Sequence, residues 1–224
     1  MKKRTRRLAL VASVATALVV PLAVMIGSAS AQPVRAPADP TAGWTSVPWS
    51  ASSYNVQNWT KAPLNQRFTI TSGIYNINVH SGEKRVEMRW DDWANQKKDN
   101  MWEADVFLDP GSTRTAIMQI KSNTNGEPIY IQVFNTNGDL RNDSDGSALA
   151  RGMYGKWFNL KCAFNPTTGV GRVWIDNVLV KTRQYRKGGT TWYFKNGAYN
   201  NGLPSGARTS VHFRNIKLWR NDKG

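Results

Sequence analysis

From Arg67 to the C-terminus, the sequence is a succession of short runs in which apolar and polar residues alternate. An alternation with a period of two is typical of strands, and no stretch of this region keeps a helical period for three turns. Candidate strands are Phe68–His80, Arg85–Trp90, Met101–Leu108, Arg114–Lys121, Pro128–Phe134, Trp157–Phe164, Gly171–Asp176, Val178–Gln184, Thr191–Lys195 and Ser210–Arg220. Turn residues such as Pro110-Gly111 and Asn125-Gly126 separate them. The pattern predicts an all-β sandwich of two antiparallel sheets, of jelly-roll type.

The N-terminus has the features of a secretory leader. Five of residues 2–7 are basic, an apolar run occupies residues 8–27, and Ala29-Ser30-Ala31 offers a small-x-small cleavage site. We therefore interpret residues 1–31 as a signal peptide and expect a secreted protein with no membrane attachment after cleavage. An uncleaved membrane anchor is the alternative, although Pro21 interrupts the apolar run.

The rest of the chain predicts one domain. Residues 32–63 are rich in Pro, Ala, Ser and Thr and contain Trp44, Trp49 and Trp59, which indicates a tail followed by a lead-in segment. Residues 64–224 form the predicted β-jelly-roll catalytic domain, which we expect to be a monomer.

Charge and rare residues limit the partners. The chain has 224 residues and a formal net charge of +15, and it remains strongly basic without its leader. Such a protein is expected to bind polyanions, and an acidic polysaccharide is favoured over nucleic acid because no nucleic-acid-binding module is evident. One cysteine excludes an internal disulfide, and two histidines exclude a His-rich metal site. We expect no cofactor; Asp139, Asp143 and Asp145 leave a structural calcium ion open, although their spacing matches no established calcium loop.

Four of the predicted strands have one apolar side and one side with long polar groups. The polar sides are Arg85, Glu87 and Arg89; Gln119 and Lys121; Tyr130 and Gln132; and Tyr193 and Lys195. On the strand with Gln119, the apolar side would comprise Ala116, Met118 and Ile120. Arg, Gln, Lys and Tyr bind carboxylates and stack on sugar rings, so neighbouring strands of this kind would line a concave substrate groove. The alternative is an ordinary solvated sheet face.

Three motifs follow one another in the chain: Arg85-Val86-Glu87-Met88-Arg89, Gln119-Ile120-Lys121, and Tyr193-Phe194-Lys195-Asn196-Gly197-Ala198-Tyr199. Together they resemble the R-x-E-x-R, Q-I-x and Y-F-K-x-G-x-Y segments of jelly-roll polysaccharide lyases in the alginate lyase and glucuronan lyase families. The resemblance runs from about Phe68 to the C-terminus. It implies a concanavalin-like jelly roll that cleaves uronic-acid polysaccharides by β-elimination.

The resemblance also implies roles for individual residues. Tyr199 matches the catalytic tyrosine, and Gln119 and Arg89 match groups that neutralise the substrate carboxylate. Alginate lyases of this type have histidine where this chain has Lys121, so His80, before the first motif, becomes the candidate catalytic histidine. This departure resembles the glucuronan lyase branch and favours a glucuronan-like substrate. The predicted substrate-binding residues are Arg85, Glu87, Lys121, Tyr130, Gln132, Tyr193 and Lys195, with Glu87 expected to orient the flanking arginines.

Two other functions remain open. Glu103, Asp105 and Asp109 approach the carboxylate pattern of laminarinase-like retaining glycosidases, in which two carboxylates flank the scissile bond. The same polar face could instead bind an acidic glycan without cleaving it. The sequence leaves the uronate polymer, internal or terminal attack, and the identity of the base unassigned.

Overall fold

The computed structural model describes residues 37–143, 147–186 and 188–223. The predicted signal peptide and Asp145 lie outside these ranges. In chain order the strands are β1 (Thr45–Val47), β2 (Tyr54–Trp59), β3 (Phe68–Thr71), β4 (Ile74–His80), β5 (Arg85–Trp90), β6 (Asp99–Leu108), β7 (Thr115–Ser122), β8 (Ile129–Val133), β9 (Leu140–Asn142), β10 (Trp157–Asn165), β11 (Val170–Ile175), β12 (Val178–Gln184), β13 (Trp192–Asn200) and β14 (Arg208–Asn221). The helical elements are two short 3-10 segments, Ala51–Ser53 and Leu64–Gln66, and no helix of the described ranges is long and apolar enough to cross a membrane.

The strands form two antiparallel sheets. The first sheet has the order β12-β11-β10-β6-β14-β4-β3, with β1 also paired to β14. The second has the order β2-β5-β13-β7-β8-β9. The prediction of an all-β jelly-roll sandwich is confirmed. The lead-in segment contributes a strand to each sheet, since β2 forms an edge of the second sheet by pairing with β5.

The core lies between the sheets and is built from alternate residues of their strands. On β10, Phe158, Leu160, Cys162 and Phe164 are buried in it, as the sequence pattern predicts. The second sheet contributes side chains that include Met88 and Ile120. Burial raises the pKa of the Cys162 thiol well above its usual value, which leaves this residue a small apolar core group.

Two details of the strands differ from the sequence prediction. The single strand predicted over Phe68–His80 is divided into β3 and β4 by a turn at Ser72 and Gly73, whose φ angles are 49° and 75°. On β7, Ala116 pairs with Gln132 whereas Met118 pairs with Ile131, so Ile117 forms a bulge. The prediction that Ala116 faces the core is therefore wrong, because a bulge inverts the alternation on one side of it.

Candidate active site on the outer face of the second sheet

The outer face of the second sheet, meaning the side that points away from the core, collects most of the predicted site residues. Cα pairing across four strands places Arg85 beside Tyr199, Tyr199 beside Ala116, and Ala116 beside Gln132. A second row joins Arg89, Lys195, Gln119 and Tyr130, and Tyr193 pairs with Lys121. Segments distant in the chain therefore meet on one surface.

Three buried polar side chains form the floor of this surface. The exposed fractions of Glu87, Lys195 and Gln119 are 1%, 2% and 2%. The Glu87 carboxylate accepts a 2.6 Å hydrogen bond from Lys195 Nζ and a further hydrogen bond from Gln119 Nε2. Arg85 Nη1 lies 3.3 Å from the same carboxylate. Burial lowers the pKa of Lys195 and the charge of Glu87 opposes this shift, so each buried charge depends on its partner.

Arg85 lies between two aromatic rings. Its guanidinium carbon is 4.3 Å from the centroid of the Tyr199 ring and 4.5 Å from that of Trp59. Guanidinium groups favour such positions because the ring face carries negative charge. Among the described residues, no hydrogen-bond partner engages the Tyr199 hydroxyl. The Arg85 guanidinium and a Tyr199 hydroxyl without a hydrogen-bond partner in the described part of the chain are thus adjacent on a partly exposed surface.

The remaining cations on this face are held by local acidic groups. Arg89 stacks at 4.0 Å on the Tyr193 ring and donates to Asp92 at 2.5 Å. The hypothesis that Glu87 orients both flanking arginines therefore fits Arg85, while Asp92 holds Arg89. Lys121, at the position where alginate lyases have histidine, forms an ion pair with Glu127.

A depression of about 330 Å³ adjoins Tyr199. Tyr130 donates its hydroxyl hydrogen to Asn201 Oδ1 at 2.7 Å, and Asn201 Nδ2 donates to Gln132 Oε1 at 3.2 Å. Burial raises the pKa of Tyr130, which keeps it a neutral donor. The sequence analysis missed Asn201, although it lies two residues after Tyr199, the spacing of one strand face.

Gly197 makes the approach of β13 to β5 possible. Its φ is 150°, and an added Cβ would lie 2.4 Å from the Val86 carbonyl oxygen and 2.6 Å from Glu87 Cα. The pairing of β13 with β7 also shifts register between Asn196 and Tyr199. Asn196 lies on the core side with Phe194 and Ala198, where it accepts a hydrogen bond from Trp90 Nε1 at 2.7 Å. Tyr199 lies on the outer face with Lys195, because the pairing of β13 with β5 keeps its register.

His80 is not brought to this face. It ends β4 in the first sheet, where Ile77 and Val79 point into the core. Alternation therefore places the His80 side chain on the opposite, outer side of that sheet. No hydrogen bond or ion pair among the described residues connects its imidazole with Glu87, Lys195 or Gln119. The other histidine, His212, also belongs to the first sheet and contacts Asn76 and Asp109.

The carboxylates of the glycosidase alternative lie on the outer side of the first sheet. Glu103 and Asp105 alternate with the core residues of β6. Glu103 is 6% exposed and is engaged by Lys161 at 3.2 Å and by Trp219 Nε1 at 2.7 Å. A buried carboxylate already paired in this way is poorly suited to act as a nucleophile, so the geometry does not favour that alternative.

Asp139 and Asp143, two of the three aspartates that left a calcium ion open, have other partners. The Asp139 carboxylate accepts hydrogen bonds from Asn135 and from the Gly152 amide, and Asp143 lies 3.7 Å from Arg183. In the described part of the chain, no group of three His, Cys, Asp or Glu side chains is arranged to hold a metal ion. The third of these aspartates, Asp145, lies outside the described residues.

Comparison with known proteins agrees with the fold. No protein-family profile matches the chain. Among solved structures, alginate lyase AlgAT5 of polysaccharide lyase family 7 superposes with a TM-score of 0.59 at 16% identity, covering 75% of this chain and 94% of that one. An alginate lyase from Pseudomonas aeruginosa gives 0.56 at 20% identity, covering 75% and 97%. An alginate lyase from Corynebacterium sp. gives 0.55 at 16%, covering 69% and 81%.

A plant protein is also similar in sequence. The citrate-binding protein of Hevea brasiliensis is 28% identical over 200 residues, which cover 83% of this chain and 81% of that protein. The chain thus has the jelly-roll fold of the family 7 alginate lyases. Its sequence similarity to a protein named for citrate binding is independent of the structural similarity to alginate lyases.

Proposed function

We propose that this protein is a secreted lyase that cleaves a uronic-acid polysaccharide, such as a glucuronan-like polymer, by β-elimination. The observation that carries the proposal is the adjacency of Arg85 and Tyr199. The guanidinium carbon lies 4.3 Å from the centroid of the Tyr199 ring, and the Tyr199 hydroxyl has no hydrogen-bond partner among the described residues. A carboxylate held by Arg85 would bring its sugar ring against the Tyr199 phenol.

The elimination requires the substrate carboxylate to be neutralised. The hydrogen on C5 is weakly acidic while that carboxylate keeps its full charge, because its removal adds a second negative charge. Arg85 and Arg89 are partly exposed and have planar groups that bind a carboxylate bidentately. Gln119 uses one amide hydrogen on Glu87 and retains the other. The buried floor would therefore support the arginines more than it contacts the substrate.

The proton transfer falls to Tyr199 in this proposal. The C5 proton passes to the Tyr199 oxygen, the C5–H electrons form the C4=C5 double bond, the C4–O4 bond breaks, and Tyr199 returns a proton to O4. Neither histidine is on this face. Lys121 lies at the position matched to the alginate lyase histidine, and its positive charge would reach the substrate only in competition with Glu127.

A substrate panel tests the proposal. The purified protein is incubated separately with glucuronan, alginate, pectate, hyaluronan and laminarin. We expect ultraviolet absorbance from the conjugated double bond with a polyuronate, glucuronan first, and none with neutral laminarin. New reducing ends without that absorbance would indicate hydrolysis and contradict the proposal.

A second candidate function is the binding of a small polycarboxylate without turnover. The similarity to a citrate-binding protein favours it. Arg85, Arg89 and Lys121 lie on one face, and the carboxylates of citrate would compete for them with Glu87, Asp92 and Glu127. Calorimetric titration separates the two functions. Tight citrate binding with no absorbance change on any polyuronate would support the second, whereas turnover with weak citrate binding would support the lyase.

A further inference from the structure

We infer that Trp59, with Lys84 and Lys61, forms an outlying subsite that binds a uronic acid residue of the polymer at the edge of the second sheet. The inference deepens the proposed function, from which it takes an acidic polysaccharide as the ligand. Trp59 ends β2 and pairs with Arg85, which in turn pairs with Tyr199. Two strand spacings therefore separate Trp59 from Tyr199, about 10 Å, roughly the length of a disaccharide.

The exposure of Trp59 points to a ligand. Its side chain is 52% exposed although Arg85 stacks on it. An exposed indole on a polar sheet edge offers a flat apolar surface that fits the CH face of a sugar ring. Trp59 also borders a shallow pocket of about 560 Å³ that it shares with Lys61, Glu83 and Lys84.

The charge of this pocket selects an acidic sugar. Lys84 Nζ lies 5.0 Å from the centroid of the Trp59 ring, and both Lys84 and Lys61 are exposed. Glu83 does not cancel them, because its carboxylate is held by Arg67 at 2.8 Å and 3.0 Å. A carboxylate on a sugar stacked over Trp59 would therefore meet two ammonium groups and no unpaired acid.

The backbone connects this pocket to the central site. The Lys84 amide donates to the Trp59 carbonyl at 3.3 Å, and the Lys84 carbonyl accepts from the Asn200 amide at 2.9 Å. Asn200 follows Tyr199 directly. Backbone hydrogen bonds thus hold Lys84 between Trp59 and the residue after Tyr199. A polysaccharide that extends from Tyr199 across Arg85 would reach the Trp59 ring.

The test measures binding as a function of chain length. A disaccharide and an octasaccharide of glucuronan, both without a C4=C5 double bond, are titrated calorimetrically into the full chain carrying Tyr199→Phe. This substitution prevents turnover during the measurement. We expect the octasaccharide to bind more tightly, and Trp59→Ala to reduce the ratio of the two affinities about five- to tenfold. Trp59→Phe, which keeps a ring, should preserve most of that ratio. Leu179→Ala, an exposed apolar residue on β12 of the first sheet, is the control and should leave it unchanged.

Lys84→Gln tests the charge without removing the ring beside Arg85. It should weaken the octasaccharide several-fold but not the same oligosaccharide after its carboxyl groups are reduced to alcohols. An equal loss for short and long chains in Trp59→Ala would mean that the ring acts only through Arg85 and would overturn the subsite, as would no loss at all. Failure of the proposed lyase function is a different result: wild-type protein would bind the series and produce no double-bond absorbance.

Discussion

The ammonium of Lys195 lies 2.6 Å from the carboxylate of Glu87, and the two residues are 108 positions apart in the sequence. They stand on adjacent strands, β13 and β5, and both are almost completely buried beneath the polar face of the second sheet. Burial of two opposite charges is tolerated only while they remain together. The pair therefore fixes the strands that carry Arg85 and Tyr199.

Removal of the Glu87 charge should destabilise the protein. In Glu87→Gln, Lys195 stays buried without a counter-charge, and we expect the free energy of unfolding to fall by about 3–5 kcal/mol. Urea unfolding followed by tryptophan fluorescence measures it. Glu127→Gln, at the partly exposed pair with Lys121, is the control and should cost no more than about 1 kcal/mol. The double variant Glu87→Gln/Lys195→Met should recover part of the loss, and no recovery would argue against the buried pair as its cause.

Tyr199→Phe should separate catalysis from binding. The hydroxyl has no partner among the described residues, so stability should change by less than about 0.5 kcal/mol. Loss of an acid or base should slow formation of the double bond by at least about 100-fold, while calorimetry finds the polymer still bound. A rate like that of the unmodified protein would remove Tyr199 from the mechanism.

Gly197→Ala should disturb the site through the backbone. The new methyl group would meet the Val86 carbonyl oxygen and Glu87 Cα, and the φ of 150° is unfavourable for alanine. We expect a loss of roughly 1–3 kcal/mol in the free energy of unfolding, together with weaker polyuronate binding as Tyr199 is displaced. Gly188→Ala, where an added Cβ meets nothing within 4 Å, is the matched control. Equal stability of the two variants would contradict the close approach.

Glu83 should contribute to stability in a pH-dependent way. Burial opposes its ionisation, but hydrogen bonds from Arg67 and the His80 amide outweigh burial and lower the pKa of Glu83 below its usual 4.5. A lowered pKa in the folded state stabilises the protein above the unfolded value, and the contribution disappears as pH falls through the folded value. Glu83→Gln should therefore lower the free energy of unfolding by about 1–3 kcal/mol near neutral pH.

The difference between Glu83→Gln and the unmodified protein should shrink as the pH is lowered from neutrality to below 4.5, as measured by urea unfolding at several pH values. Asp222→Asn at the C-terminal end, whose carboxylate pairs with Arg220 on the surface, is the control and should change stability little at any pH. A difference that stays constant with pH would assign the effect of Glu83→Gln to packing and not to charge.

The sequence by itself determined the fold class and the chemical character of the site. Alternation with a period of two, interrupted by turn residues, depends only on neighbouring side chains, so the strands around Arg85, Gln119 and Tyr193 could be recognised locally. The same alternation assigned their polar faces correctly, because the hydropathy of alternate residues is enough to identify the buried side of a strand.

Only the tertiary structure decided which strands are neighbours and where alternation breaks. The bulge at Ile117 is set by the pairing of β7 with β8, and it moves Ala116 to a face that a strict period of two does not give. His80 is close in sequence to Arg85, yet it ends a strand of the other sheet, so proximity along the chain misplaced it. Trp59 contacts Arg85 because β2 pairs with β5 at the edge of the second sheet. This pairing is made by backbone hydrogen bonds between distant segments, which the pattern of residues along the chain does not reveal.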